Sequence, residues 1–279
     1  MDATLTCLIP CRNERRNIRP CIESLQQIAD EILIADSGST DGTMDIARTA
    51  GGSKCRIIER EYRLSGDFKN WAIPQAQYDW VLLVDADERI PQDLATEIMS
   101  VIADPDAKDG YWIFRRNYLM GHRVRFGGLQ RDSCIRLFRR DVSRYVGDTD
   151  HAEVSVSTGS VGRLRSLMDH YSYWSHDQWQ RKMERYSIVQ ANIWAEQGKE
   201  AAFTQLLLRM PFRFMAHYFL QLGFLDGKIG LQYAILQAYY SFMKQARLWE
   251  IQHAIDQPDP EADVPQQKVT LAEFYPKAA

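Results

Sequence analysis

The residues best suited to chemistry are acids placed where short apolar runs end. Glu14 follows the run Thr4 to Ile9, Asp36 ends Glu31 to Ala35, and Asp85 and Asp87 end Trp80 to Val84. In an open α/β sheet, ligands bind outside the C-terminal edge of the strands. Three strands thus bring acids to one rim. Asp36 and Asp41 also suit turns and helix caps, and that reading suffices for Asp41. For the full set it is weaker, because uncompensated acids on one rim repel. A cation, or donors from a ligand, relieves that cost.

Asp85-Ala86-Asp87 is the sharpest local signal. Residues i and i+2 of an extended segment point the same way. Two such carboxylates offer hard oxygen ligands for Mg2+ or Mn2+, leaving positions for water and phosphate. The string follows Val81-Leu82-Leu83-Val84, a buried-strand run, which lifts it above an ordinary surface turn. Aspartyl-nucleophile phosphohydrolases also use an Asp-x-Asp after a strand. Their pattern lies near the N-terminus and continues with Thr or Val, whereas Glu88-Arg89 follows here.

The elements that must position these acids alternate. Thr4 to Ile9 is a strand stopped by Pro10, and Ile18, Cys21, Ile22, Leu25 and Ala29 recur at helical spacing. Glu31 to Ala35 is a second strand, followed by the turn-rich Asp36 to Gly42 and a helix from Thr43 to Ala50. Arg56 to Glu59 and Trp80 to Val84 are further strands, and Leu94, Ile98, Val101 and Ile102 mark another helix. Tyr111 to Arg115 and Ile135 to Phe138 add later strands. This alternation predicts an α/β fold with a mostly parallel sheet covered by helices. From about Ser172 the pattern turns helical, giving a helical C-terminal extension.

Composition sets the outer bounds. The chain has 279 residues, 45% of them apolar and 25% charged, with net charge −3. Those values exclude a disordered, collagen-like or polytopic membrane chain and imply no general nucleic-acid affinity. Five Cys without a C-x-x-C pair suggest neither a disulfide framework nor a zinc knuckle. The start, MDATLTCLIP, lacks a basic segment before an apolar run, so no secretory signal is expected. The uncharged stretch from Ile229 to Met243 is 15 residues long. A spanning helix needs about 20.

IPCRNE, EILIADSGSTDGT, KNWAI and VLLVDADER, in this order, resemble the family 2 glycosyltransferases of the GT-A fold. DSCIRLFRR, LMDHYSYWS, RKMERYSIVQAN and GFLDGKIGLQYA are similar to the subgroup that adds sugars to the lipopolysaccharide inner core. The resemblance implies a GT-A-like catalytic domain over 1–170, a helical region over 171–255 and a tail over 256–279. It implies a nucleotide-sugar donor (UDP-linked), a divalent metal (Mg2+ or Mn2+) and an inverting single displacement. The transferred group would be a hexose, glucose, and the acceptor a lipid-linked or lipopolysaccharide-core saccharide.

Carried over by position, Pro10 and Glu14 would shape the nucleoside pocket, and Asp36 would contact the base or ribose. Asp85 and Asp87 would face the ribose and the metal-bound diphosphate. Lys69 would be a donor contact. Arg136 would lie near the diphosphate, with Arg131 as competitor and a solvated basic strand as the ordinary alternative. A carboxylate base must take the acceptor's proton, and Asp148, Asp150, His151 and Glu153 fall in the expected place. The related transferases show His-Glu there, and this chain has His-Ala-Glu. Glu153 is the first choice as base and Asp150 the second. His170 could bind metal, but a lone His among aromatics reads as a hydrogen-bonded packing residue.

Between Lys199 and Arg247 there are ten aromatics, with six Lys/Arg against two acids. A basic, aromatic-rich helical surface can lie in the headgroup layer of an anionic membrane. The bland alternative is an amphipathic helix pair packed on the catalytic domain with its basic face solvated. With the glycolipid acceptor that the resemblance implies, the expectation is a cytoplasmic protein held peripherally at the cytoplasmic face of the inner membrane. Two other functions share the fold. Nucleotidyl transfer would need a Gly-rich basic loop after the first strand, and CRNERR has no Gly. A non-catalytic sugar- or lipid-binding module would not need both Asp85 and Asp87.

Overall fold

The structure is a computed structural model and describes residues 3–147 and 153–253. Strand β1 (Leu5–Cys11) lies between β2 (Glu31–Asp36) and β4 (Trp80–Leu83), and β3 (Cys55–Glu59) pairs with β2, all parallel. Leu8, Ile9, Leu33, Ile34, Leu82 and Leu83 are fully buried, because helices cover both faces of these strands. One cover is formed by α1 (Ile18–Leu25), α2 (Thr43–Gly51) and α4 (Gln92–Ile102), whose apolar residues join one core cluster with the inner strands. The other includes α3 (Ser65–Ala72), through Phe68 and Ala72.

Pro10 does not stop β1, which continues to Cys11. The Leu8 carbonyl accepts from Val84 N, so even-numbered residues of β1 turn their polar groups toward β4. β4 ends at Leu83, opposite Leu8. Pro10 therefore faces a gap where no ladder bond is needed, and its missing N–H costs nothing.

Beyond β4 the sheet becomes mixed. The antiparallel β8 (Ser133–Arg139) pairs with β4 and with β6 (Gly110–Leu119), and β11 (Val161–Tyr173) runs parallel to β6. The short β5 (Glu88–Arg89) pairs antiparallel with β11, and β7 (His122–Val124) pairs with β6. A separate ribbon joins β9 (Ser143–Val146) to β10 (Glu153–Val156). β7, β9, β10 and β11 have no counterpart in the sequence reading. β11 alternates apolar, basic and aromatic residues too irregularly to show a period of two.

Helices α5 (His176–Glu196), α6 (Phe203–Met215) and α7 (Gly227–His253) form the C-terminal region. Asp226 fastens it to the sheet by accepting from Arg125 N and Phe126 N, both at 2.8 Å. Gly230 sits against the preceding turn. A Cβ there would lie 1.9 Å from the Gly223 carbonyl oxygen, so only glycine allows this approach. Among the described residues no helix is long and apolar enough to cross a membrane.

Candidate functional site

The acid turn, Asp85 to Asp87, leaves the end of β4 and runs directly into β5. Its backbone is a turn rather than extended, yet both carboxylates line one cleft of about 610 Å³. Pro10, Glu14 and Lys69 line the same cleft, with Cys11, Arg12 and Tyr62 near the nucleotide motifs. β11 supplies His170 and Tyr171 opposite the turn. That placement follows from strand pairing, since His170 lies across from Glu88 and Tyr171 N donates to the Asp87 carbonyl at 2.8 Å.

Asp85 is held by two cations. Arg136 contacts one oxygen, and Lys69 Nζ lies 3.3 Å from the other. Burial pushes the Asp85 carboxyl up, but Arg136 and Lys69 outweigh it and hold the group well below the usual carboxylate range. Lys69 answers in kind: burial pulls it down, and the Asp85 charge more than restores it. Tyr145 braces both cations. Its ring lies 5.0 Å from Lys69 Nζ, and its hydroxyl is 3.4 Å from an Arg136 nitrogen. Arg136 is buried behind Asp85, one layer from the cleft. It thus holds the carboxylate that faces the cleft, where the sequence reading had it beside the diphosphate or on a solvated strand. Arg131 is exposed on a turn.

Asp87 faces a different environment. His170 Nε2 lies 3.7 Å from its Oδ2. Burial raises the Asp87 carboxyl, and contact with His170 together with the Lys182 charge brings it below its ordinary value. The tautomer of His170 follows from its other neighbours. Asn117 Nδ2 donates to Asp132 Oδ2 at 2.9 Å, which turns the amide oxygen to His170 Nδ1 at 2.7 Å. An amide oxygen only accepts, so Nδ1 carries the hydrogen. Protonated, the ring pairs its Nε2–H with Asp87, the arrangement that lowers that carboxyl; in the neutral ring the Nε2 lone pair instead points toward it, acceptor against acceptor.

That opposition is the test for a divalent metal, and the residues fit one. Two acceptors face each other across a wet cleft, and the second nitrogen of the imidazole is oriented by an amide and a carboxylate behind it. Asp87 and His170 would hold the ion. Asp85, already neutralised by Lys69 and Arg136, is the poorer ligand, which shifts weight away from a symmetric Asp85–Asp87 pair. No cluster of three protein donors exists among the described residues, as suits an ion that completes its shell with phosphate and water. His170, read from sequence as a packing residue, is half that: it is hydrogen-bonded on one side and lines the cleft on the other.

The two acids are joined through the protein interior. Arg136 also contacts the fully buried Glu88 at 2.8 Å, and Glu88 binds Arg115 at 2.9 Å. Arg115 reaches Asp132 at 3.2 Å, and Asp132 leads through Asn117 to His170 and Asp87. Glu88 Oε2 further accepts from Asp85 N at 2.9 Å, fixing the turn itself. Each buried charge in this circuit has an opposite partner, the condition under which buried charge is tolerated.

Other expected residues lie elsewhere. Asp36 is buried and does not line the cleft. Its carboxylate accepts from Gly38 N and Ser39 N at 3.2 and 2.9 Å and from Ser39 Oγ at 2.6 Å. It shapes the loop of which Ser37 lines the cleft, and Gly38, at φ +91°, permits that bend. Glu14 is raised by burial and by Asp87, against a hydrogen bond from Asn17 at 2.8 Å. Glu153 is exposed at the start of β10, opposite Val146, and does not line the cleft. Asp148, Asp150 and His151 lie outside the described residues. The residues that sequence reasoning missed are on α5: Gln178, Arg181, Lys182 and Arg185 line the cleft. Their spacing of three and four marked one helical face, but nothing in the sequence showed that this face looks onto the acids.

The sequence is similar to known proteins over most of its length. The sequence model of Glycosyl transferase family 2 matches residues 6–151. The lipopolysaccharide core biosynthesis glycosyltransferase LpsC of Rhizobium meliloti is 32% identical over 255 residues, covering 90% of this chain and 93% of its own. Among solved structures, S. aureus TarS 1-349 aligns at TM-score 0.46 and 16% identity over 87% of this chain and 80% of that one. Glucosyl-3-phosphoglycerate synthase from Mycobacterium tuberculosis, in complex with Mn2+, UDP and phosphoglyceric acid, aligns at 0.44 and 17% over 63% and 72%. The family match sets aside the nucleotidyl-transfer and binding-module alternatives: the chain belongs to glycosyl transferase family 2 and is a glycosyltransferase.

Proposed function

We propose that the protein transfers a hexose, glucose from a UDP-sugar, to a lipid-linked saccharide of the lipopolysaccharide core, by an inverting single displacement with Mg2+ or Mn2+. The observation that carries this reading is the acid turn: two carboxylates on one cleft, Asp85 clamped by Lys69 and Arg136, Asp87 set against His170. Residues 1–170 act as the catalytic domain and 171–255 as its acceptor-side region. The lipopolysaccharide assignment rests on the likeness to LpsC.

Pro10, Glu14 and Tyr62 line the nucleoside side of the cleft. Asp85, fixed by its two cations, accepts from the ribose hydroxyls. Asp87 and His170 would hold the metal, which supplies charge against the diphosphate as it leaves. Lys69 and Lys182 add fixed positive charge where negative charge grows, which favours the transition state over the ground state. The sugar carbon becomes oxocarbenium-like, and the acceptor hydroxyl loses its proton to Asp150 or Glu153. Of these, the variant that spares UDP binding and lowers turnover, Asp150→Asn or Glu153→Gln, identifies the base.

A peripheral membrane contact completes the proposal. Phe203, Leu207, Leu208, Phe212, Leu220 and Leu225 are exposed on α6 and the turns after it. Arg209, Arg213 and Lys244 repel one another beside them, and burial and these charges pull Lys244 down to about 8. Apolar side chains ringed by unneutralised cations suit an anionic lipid surface.

Thermal stabilisation by UDP, GDP, ADP and CMP, each with and without Mn2+, tests the donor assignment. A Mn2+-dependent shift with UDP alone supports it, and a shift with another nucleotide, or with none, overturns it.

A further inference from the structure

We propose that α5 and Trp174 form an acceptor subsite that selects a saccharide bearing carboxylate or phosphate groups. The proposal rests on the transferase reading above and gives the acceptor a chemical class.

Cations on α5 are treated in two ways by the fold. On the side toward α7, charge is matched: Arg247 meets Glu184 at 3.3 Å. On the cleft side, Arg181, Lys182 and Arg185 repeat at spacings of three and four and line the cavity. Among the described residues none of these three forms an ion pair, although the chain carries a net charge of −3. Ring faces lie near two of them: Lys182 is 5.2 Å from the Tyr173 centroid and Arg185 5.2 Å from that of Tyr186.

Depth separates their tasks. Lys182 is largely buried, and after burial lowers it, Tyr173 and Asp87 raise it above its ordinary value. It lines the cleft together with Asp85 and Asp87. Arg181 and Arg185 are exposed at the wall of the cleft. On the donor pose proposed above the diphosphate takes Lys182 and the ion site, which leaves these two arginines to another ligand.

Beside them stands an aromatic surface that cannot turn. Trp174 stacks on Tyr171 at 5.1 Å and 8°, and Tyr171 stacks on Tyr118 at 4.7 Å and 11°. Trp174 Nε1 donates to Asn17 Oδ1 at 2.8 Å, and Trp174 N donates to Gln178 Oε1 at 2.8 Å. The indole is thus tied to α1's entry and its backbone to α5, yet 40% of the residue stays exposed. A fixed aromatic face binds a sugar ring with little ordering cost. Two forked guanidinium groups on the same cleft suit oxyanions on that sugar. Neutral saccharides would use the indole and leave the arginines idle.

The test titrates the full chain, with UDP and Mn2+ and again without them, with lipid-free core oligosaccharide in native, dephosphorylated and carboxyl-reduced forms. The native form is expected to bind at least about tenfold tighter than one lacking both groups, the equivalent of about 1.4 kcal/mol. The step at which affinity falls tells phosphate from carboxylate. Arg181→Gln with Arg185→Gln should erase the difference while UDP binding stays within about twofold, a separation expected for sites that share no contact. Equal binding of charged and neutral forms by the unaltered protein, or full discrimination by the double variant, overturns the proposal. Failure of UDP to bind the unaltered protein would instead remove the donor assignment, and the nucleotide-free titration would still judge the subsite.

Discussion

At the acid turn every buried charge meets an opposite charge of the protein itself; in the α5–α7 region Arg247 does so with Glu184, but several other cations do not. Asp85, Arg136, Glu88, Arg115 and Asp132 form a closed sequence of partners beneath the cleft. Among the described residues Arg181, Arg185, Arg209 and Lys244 form no ion pair, and Lys244 is pulled down by burial and by its basic neighbours. Internally matched charge fixes geometry. Unmatched charge costs stability unless something binds it. The same residue types therefore serve positioning in one region and recognition in the other.

The strongest way to break this contrast is at Asp87. Asp87→Ala should lower turnover by about a thousandfold or more and remove the Mn2+ dependence of nucleotide binding, read by steady-state kinetics and thermal shift. Activity within tenfold of the unaltered enzyme would end the assignment of Asp87 and His170 to the metal.

Next comes Arg136. Arg136→Met strands Asp85 and the fully buried Glu88 without their shared cation. Removing one partner of a buried pair costs about 3–5 kcal/mol, seen as a fall of about ten degrees in Tm. An unchanged Tm would show that Lys69 and Arg115 suffice to hold both acids.

Asp132 sharpens the comparison because it touches neither acid of the turn. Asp132→Asn should weaken Mn2+ affinity and kcat by about 10- to 100-fold, since it loosens Asn117 behind His170 and Arg115 behind Glu88. Mn2+ titration by tryptophan fluorescence separates this from a folding defect. If Tm falls and metal affinity does not, the circuit is structural alone.

The smallest effect lies in the other region. The folded-state value of Lys244, about 8, lies below its ordinary 10.5. Between those values the unfolded chain binds more protons, so stability rises with pH across that window. At pH 7 the penalty is present in full. Lys244→Met should then raise Tm by a few degrees at pH 7, and the gain should shrink as pH approaches 10. Anionic vesicles should shrink it too. A gain that is independent of pH would show that burial of the methylene stem, not charge, governs Lys244.

Much of the catalytic half could be read in advance. The apolar runs at Leu5, Glu31 and Trp80 are local signals of buried parallel strands, and they became β1, β2 and β4 with ends within two residues of expectation. Parallel strands buried on both faces need continuous apolar sequence, and such runs are visible without knowledge of their neighbours. Asp85 and Asp87 were found because they adjoin one of these runs. The place of His170 opposite the acid turn could not be read in advance, because it comes from β5 and β11 pairing, which joins residues 80 and 82 apart in sequence. Asp36 ended in its own loop, since Ser39 and two backbone N–H groups compete for the carboxylate at short range.

The sequence alone thus carried the motifs whose family resemblance implies the reaction class, and it pointed to Glu14, Asp85 and Asp87 at the cleft because they adjoin locally encoded strands. Only the tertiary structure decided which acid is neutralised and which stays available. Those identities depend on Arg136, Lys69 and His170, brought from three distant segments, and on the low-dielectric layer in which their charges act. The orientation of α5 was decided there as well. Helical spacing defines a face, but only packing on β11 and α7 determines what that face looks onto.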